Sequence, residues 1–229
     1  SFSAKIYMVV INAQCDSAEM IRFSPFVFEI KKGDKLMERL HICSGKEILL
    51  SCRNDADEVI VRAREEFSSV LKLVTGEEPC FLSGENEISA AAICVCLSCF
   101  DDGFSILSQN DRLAVYKKEL KGTDGFAVLR DENRIYILSH TPAGVYYGAH
   151  DFLEKNFEII FARGAKEYAV EYLPATEWEI TKYNYMEKSP FSIRAWNMCG
   201  VGSEGKAHID YGTAVYYARN KINGIFHEM

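Results

Sequence analysis

The chain has 229 residues, 48% of them hydrophobic and 26% charged, with a formal net charge of -7. This is ordinary globular composition, long enough for one large domain or for one domain plus part of another. The acidic balance argues against a nucleic-acid partner, which would want clustered Lys and Arg. No apolar run reaches the roughly 18 residues of a membrane span.

The first stretch, "SFSAKIYMVVINAQ", carries no charged region before its apolar run, so no signal peptide is read there. Residues 5–11 and 26–30 are apolar and rich in β-formers, and read as strands. "KEILLSC", 46–52, is a third strand. Asn54 and Asp55 then open a helix, with Asp55 and Glu58 spaced as a capping box. Val59, Ala63, Phe67, Val70 and Val74 form its apolar stripe, with Ile60 and Leu71 beside it. Arg62, Arg64, Glu65 and Glu66 are assigned to the far face. Gly76 ends the helix near 75.

"SAAAICVCLSC", 89–99, is small and apolar without alternation, as suits a central strand covered on both faces. The chain has eight cysteines, Cys15, Cys43, Cys52, Cys80, Cys94, Cys96, Cys99 and Cys199. Their scatter in a long chain does not read as a disulfide scaffold. Cys94 and Cys96 share a strand face, but no second cluster completes a metal site. Buried free thiols are expected, which mildly favours a cytoplasmic, reducing compartment without excluding export of a parent protein. A thiol-based redox or hydrolytic role lacks a charged partner close in sequence to activate the sulfur.

Residues 124–140 form the clearest hairpin, 126–130 and 134–139 around a polar turn at Asp131, Glu132 and Asn133. Thr141 is then a candidate N-cap and Pro142 suits the first helical position. In the helix "GVYYGAHDFLEKNF", Gly144 and Gly148 stand where each glycine costs about 1 kcal/mol relative to alanine. Close approach to a sheet explains them better than phosphate binding, because no Gly-rich phosphate motif is present and no cofactor is expected. Val145, Ala149, Phe152 and Asn156 lie along one strip. Residues 175–190, bracketed by Pro174 and Pro190, read as a connecting stretch.

The tail changes character. Residues 191–198 are strand-like, a glycine-rich loop follows, and Tyr211, Ala214, Val215, Ala218 and Ile222 recur at helical spacing, with Asp210 as a possible cap. "GIFHEM" reads as a second strand. A single crossover helix implies that the two strands are parallel. Only 39 residues run from Phe191 to Met229, against about 250 for a (β/α)8 barrel. The fold expected is therefore α/β: a mixed sheet with two principal helices over 1–180, then the first β-α-β of a truncated barrel over 191–229. The apolar faces of such a tail should pack back onto the first domain or drive self-association.

The combination of the hairpin and helix over 122–161, the linker, and "PFSIR" opening a βα unit with "ARNKIN" resembles glycoside hydrolases that carry an accessory α/β domain before their barrel. Alpha-glucuronidases and beta-N-acetylhexosaminidases have this layout, and "IRAWNM" with "ARNKINGIFHEM" looks closer to the alpha-glucuronidase type. The resemblance covers residues 120–229, about half the chain. It implies a carbohydrate partner, with catalytic carboxylates on later barrel strands, beyond residue 229. No catalytic residue is therefore named in this chain.

For substrate binding the resemblance points first to Arg194, since the resembled hexosaminidases place a sugar-contacting arginine on the first barrel strand. Its fork suits hydroxyls or a carboxylate, and a structural salt bridge is the competing role. Asn197 at the strand end, and His227 with Glu228 on the second strand, are further candidates, with a turn-forming Asn and a frayed end as the alternatives. Trp196 suits a core aromatic better than a stacking platform. A non-catalytic carbohydrate-binding or interaction domain is the other function carried forward.

Overall fold

The computed structural model describes residues 40–53, 55–82, 93–101, 111–162, 170–198 and 211–227, all within the unit Arg39–Met229. The strands expected at 5–11 and 26–30 lie outside the described residues. The centre is a mixed six-stranded sheet. Its members are β2 (Ile48–Ser51), β3 (Cys80–Leu82), β4 (Ile93–Cys99), β5 (Phe126–Asp131), β6 (Arg134–Ser139) and β10 (Tyr185–Glu187). Their order is β10-β5-β6-β4-β2-β3, with β6, β4, β2 and β3 parallel and β5 antiparallel to both of its neighbours.

The period of two along each strand sorts side chains between two cores. Ile48, Leu50, Val95, Leu97, Ile135 and Ile137 face one side, and Leu49, Cys94, Cys96, Tyr136 and Leu138 face the other. Both faces are apolar, which is why β4 shows no alternation in sequence.

On the first face lie α1 (Glu58–Thr75) and α3 (Pro142–Phe157). The cap of α1 is Asp57, whose carboxylate accepts from the N–H of Val59 at 2.8 Å. Asp55, the expected cap, instead pairs with Arg53. Gly76 ends the helix as expected, in the left-handed conformation at φ 78°. Glu66 is buried, contrary to its assignment to the far face, whereas Val59 is exposed.

Helix α3 starts as its sequence indicates. Thr141 Oγ1 accepts from the Gly144 N–H at 3.1 Å, and Pro142 occupies the first turn. The helix is buried almost all round. A Cβ on Gly148 would lie 2.7 Å from Ile137 Cγ2 and 2.9 Å from the Phe126 ring, and one on Gly144 would strike Ser139. Sheet contact is what both glycines permit. Phe152 stacks on Phe67 of α1 at 6.1 Å, locking the two helices together.

The opposite face carries α2 (Asp111–Glu119), a third helix beyond the two that were expected. Leu113, Tyr116 and Leu120 touch the sheet at helical spacing, but no residue within α2 is fully buried.

Short pairs frame the sheet. β1 (Leu40–Ile42) pairs with β9 (Trp178–Ile180), and β7 (Ile159–Phe161) with β8 (Val170–Tyr172). Residues 175–190 are therefore not a free connector. Trp178 and Ile180 are buried core residues, and β10 within the same stretch closes one side of the main sheet. Bulky β-formers set at alternate positions (Trp178, Ile180) decide this over the flanking prolines.

The tail forms β11 (Ala195–Met198), α4 (Tyr211–Arg219) and β12 (Gly224–His227). β11 and β12 are parallel, as the single crossover helix requires. A mixed α/β architecture with four helices is thus established among the described residues.

Candidate functional site

The strands β11 and β12 run in register, with Ala195 opposite Gly224, Asn197 opposite Phe226 and Met198 opposite His227. Asn197 and His227 thus both lie at the C-terminal end of the pair, one register step apart. Arg194 precedes β11 and sits at the other end. Glu228 lies outside the described residues.

Arg194 is heavily engaged. Its guanidinium donates from Nε to the Lys221 carbonyl at 2.6 Å, from Nη1 to the Phe191 carbonyl at 3.0 Å, and from Nη2 to Asp124. It also lies over the Tyr147 ring of α3 at 5.7 Å. Asn223 completes the cluster. Its side chain accepts the Arg194 N–H at 2.7 Å and donates to Asp124 at 3.1 Å. Asp124 immediately precedes the hairpin, so this group ties the entry of β11 and β12 to the main sheet.

Two more polar clusters tie the tail down. In the first, Glu66 of α1 receives four donors from three helices. The Tyr146 hydroxyl donates at 2.7 Å, Arg219 Nε at 3.0 Å, His150 Nε2 lies at 3.2 Å, and Arg62 Nε donates at 2.9 Å. His150 Nδ1 meets the Tyr146 carbonyl at 2.8 Å. Burial alone would raise the Glu66 pKa. The His150, Arg219 and Arg62 donors outweigh burial and hold the carboxyl far below the usual carboxylate range. Burial, then the Glu66 charge, pushes the Tyr146 hydroxyl well up, so it stays a donor.

In the second, Asp151 of α3 accepts from Lys155 at 2.7 Å, Lys221 at 2.7 Å and the Tyr185 hydroxyl at 2.8 Å. Lys221 also reaches Glu187 of β10. Burial opposes ionisation of Asp151, and its three donors overcome it, keeping the carboxyl low.

Neither carboxylate is poised for proton transfer, because both are held ionised by fixed donors. Their chemistry is that of clasps. Glu66–Arg219, Asp151–Lys221 and Asp124–Arg194 hold α4 and both strand entries onto the front sheet. Helix α4 accordingly packs against α1 and α3 within the same unit, with Val215 and Tyr217 buried.

Sequence reasoning passed over these hubs, though a signal existed. Glu66 stands three residues after Ala63 and four before Val70, on the apolar face of α1. Between the starts of α1 and α3 and the helix α4 lies a cavity of about 290 Å³, lined by Val59, Arg62, Tyr146, Tyr147, Val215 and Ala218 among others. Among the described residues no group of three or more His, Cys, Asp or Glu converges to hold a metal ion.

No protein-family model matches the chain, and no curated protein matches it. Among solved structures it is similar to a family GH115 4-O-methyl-alpha-glucuronidase with specificity for decorated arabinogalactans. That likeness has a TM-score of 0.51 at 10% identity, over 82% of this chain and 25% of that one. Looser likenesses are to a chitobiase of Flavobacterium johnsoniae and to a GH138 enzyme targeting pectin rhamnogalacturonan II. The chitobiase has a TM-score of 0.41 at 15% identity, over 70% of this chain and 20% of that one. The GH138 enzyme has a TM-score of 0.33 at 15% identity, over 47% and 13%. These neighbours are glycoside hydrolases, and the chain spans a quarter or less of the length of each. The likeness to the glucuronidase is one of fold.

Proposed function

We propose that the chain is the front part of a glycoside hydrolase of the alpha-glucuronidase type, an accessory α/β domain followed by the opening β-α-β of a (β/α)8 barrel. The observation that carries this reading is the parallel β11–α4–β12 unit clasped to a mixed sheet. It is supported by the likeness of fold, over 82% of this chain, to a quarter of a much longer glucuronidase. A parallel pair joined by one crossover helix is the repeating unit of such barrels.

Barrel active sites gather at the C-terminal ends of the strands. In this reading Asn197 and His227, with Glu228 next in sequence, contact the sugar. Arg194, at the other end, holds the unit on the front domain through Asp124. The catalytic carboxyl pair that glycoside hydrolysis requires belongs to later strands, and the chain by itself is inactive.

The test is turnover of an aldobiouronic acid by the full parent protein and by residues 1–229 alone. The expected result is activity in the first and none in the second. In the parent, Asn197→Ala and His227→Ala should raise KM. A parent reading frame without further βα units, with binding of the oligosaccharide but no cleavage, would replace this reading by a carbohydrate-binding domain.

A further inference from the structure

The α2 face of the sheet carries two sulfurs in contact. Cys94 Sγ and Cys96 Sγ are 3.6 Å apart, with the residues 1% and 8% exposed. The strand register supplies what the linear sequence lacks. Arg134 stands opposite Cys94 on β6, and Tyr136 opposite Cys96. The contact with Cys96 lowers the Cys94 thiol pKa and the Arg134 charge adds to this, against the opposing effect of burial. The thiolate is the reactive form of cysteine, and a cationic neighbour favours it.

Among the described residues, the helix on this face of the sheet is loosely packed. Helix α2 has no fully buried residue, whereas α1 and α3 are buried along most of one face or more. Elements with few buried contacts open first, so this face of the sheet is the more readily exposed to a small reagent.

We propose that Cys94 and Cys96 form an oxidisable dithiol that a hydroperoxide closes to an intrachain disulfide. The Cys94 thiolate attacks the peroxide. An S–O bond forms, the O–O bond breaks, and the departing oxygen leaves as water or an alcohol. The Cys96 sulfur then displaces the sulfenic oxygen. An S–S bond forms, the S–O bond breaks, and water leaves with the thiol proton. The peroxide takes up the two electrons that the two thiols give.

Closure acts on the fold. Residues two apart in a strand have Cα atoms about 6.7 Å apart, near the upper limit of about 6.8 Å for a disulfide. The bond therefore draws β4 in at Val95, which the ladders tie to Leu50 and Ile135. Oxidation loosens the centre of the sheet, and reduction restores it.

The experiment treats the folded chain with hydrogen peroxide, alkylates with iodoacetamide and assigns each cysteine by peptide fragmentation. The expected result is a peptide lighter by about 2 Da, the two hydrogens of a dithiol. Cys94 and Cys96 are unalkylated in it, and both become alkylatable after dithiothreitol. The Cys96→Ser variant should stop at a sulfenic acid on Cys94 that dimedone traps. Amide exchange across β4 should quicken in the oxidised chain. Alkylation of both cysteines after peroxide, sulfinic or sulfonic acid without the disulfide, or oxidation confined to the exposed Cys43 and Cys80 would each overturn the proposal. A dimedone adduct on Cys96 in Cys94→Ser but none on Cys94 in Cys96→Ser would also overturn the assignment of Cys94 as the attacking sulfur.

Discussion

One face of the sheet lies under α1 and α3, the other under α2, and the two are built differently. On the first, Phe67, Leu71, Phe152 and Phe157 are wholly buried, and glycines let α3 settle against Ile137 and Phe126. The polar groups there are buried too, and are collected around two carboxylates, Glu66 and Asp151. On the second, Leu113 and Tyr116 are only partly buried, and α2 is fastened by individual bonds such as Tyr116 to the Asn184 carbonyl at 2.9 Å. A sheet strand can thus be fully covered on both sides while only one side is rigidly fixed. The tail is attached to the rigid side, through Arg219 and Lys221, and the dithiol lies on the other.

The largest effect expected from breaking this contrast is at Glu66. Glu66→Leu leaves Arg219 buried without its counter-charge and His150 without its partner, and should cost about 3–5 kcal/mol in urea unfolding. The pH dependence follows from the depressed folded pKa. An unfolded glutamate takes up its proton near pH 4, while the folded one is still ionised. Below that pH the unfolded state binds more protons, so acid favours unfolding. The Glu66 contribution is therefore complete above the ordinary carboxylate range and drains away as pH falls toward the depressed value. Glu66→Gln should flatten the acid arm of the stability curve. An unchanged arm would mean that the carboxylate is solvated and the clasp is not formed.

Next in size is Gly148→Ala. An alanine gains about 1 kcal/mol of helix propensity over glycine, yet overpacking against Ile137 and Phe126 should make the variant less stable by about 1–3 kcal/mol. A more stable protein would show that α3 stands further from the sheet. Tyr146→Phe, which removes one of the four donors to Glu66, should cost about 1–2 kcal/mol. The smallest effect is assigned to the other face. Leu113→Ala on α2 should cost under about 1 kcal/mol, since the side chain is half-exposed. Amides of α2 should exchange before those of α1 and α3. A Leu113→Ala loss as large as a core truncation would remove the distinction between the faces.

The elements legible from sequence are those whose signals are local. Thr141 and Pro142 fixed the start of α3, Gly76 the end of α1, and the polar turn at Glu132 and Asn133 the hairpin. Parallel pairing of β11 and β12 followed from the length of the crossover. Misread elements depend on distant partners. Trp178 to Ile180 is too short to announce itself and becomes a strand because Leu40 to Ile42 lies alongside. Helix α2 has sparse apolar residues, and only the second core makes sense of Leu113, Tyr116 and Leu120. Glu66 looked like solvated charge because its partners, His150 and Arg219, are 84 and 153 residues away. The charged neighbour missing for the Cys94 thiol was Arg134, brought in by register alone.

The ends of the main sheet have a consequence for solubility. Its two outermost strands, β3 and β10, are three residues each. A row that short offers a foreign chain few unpaired N–H and C=O groups to copy, and β10 ends in Glu187, already held by Lys155 and Lys221. Short, charged borders are how sheets avoid growing edge to edge into aggregates. The borders of the main sheet are closed to recruitment in this sense.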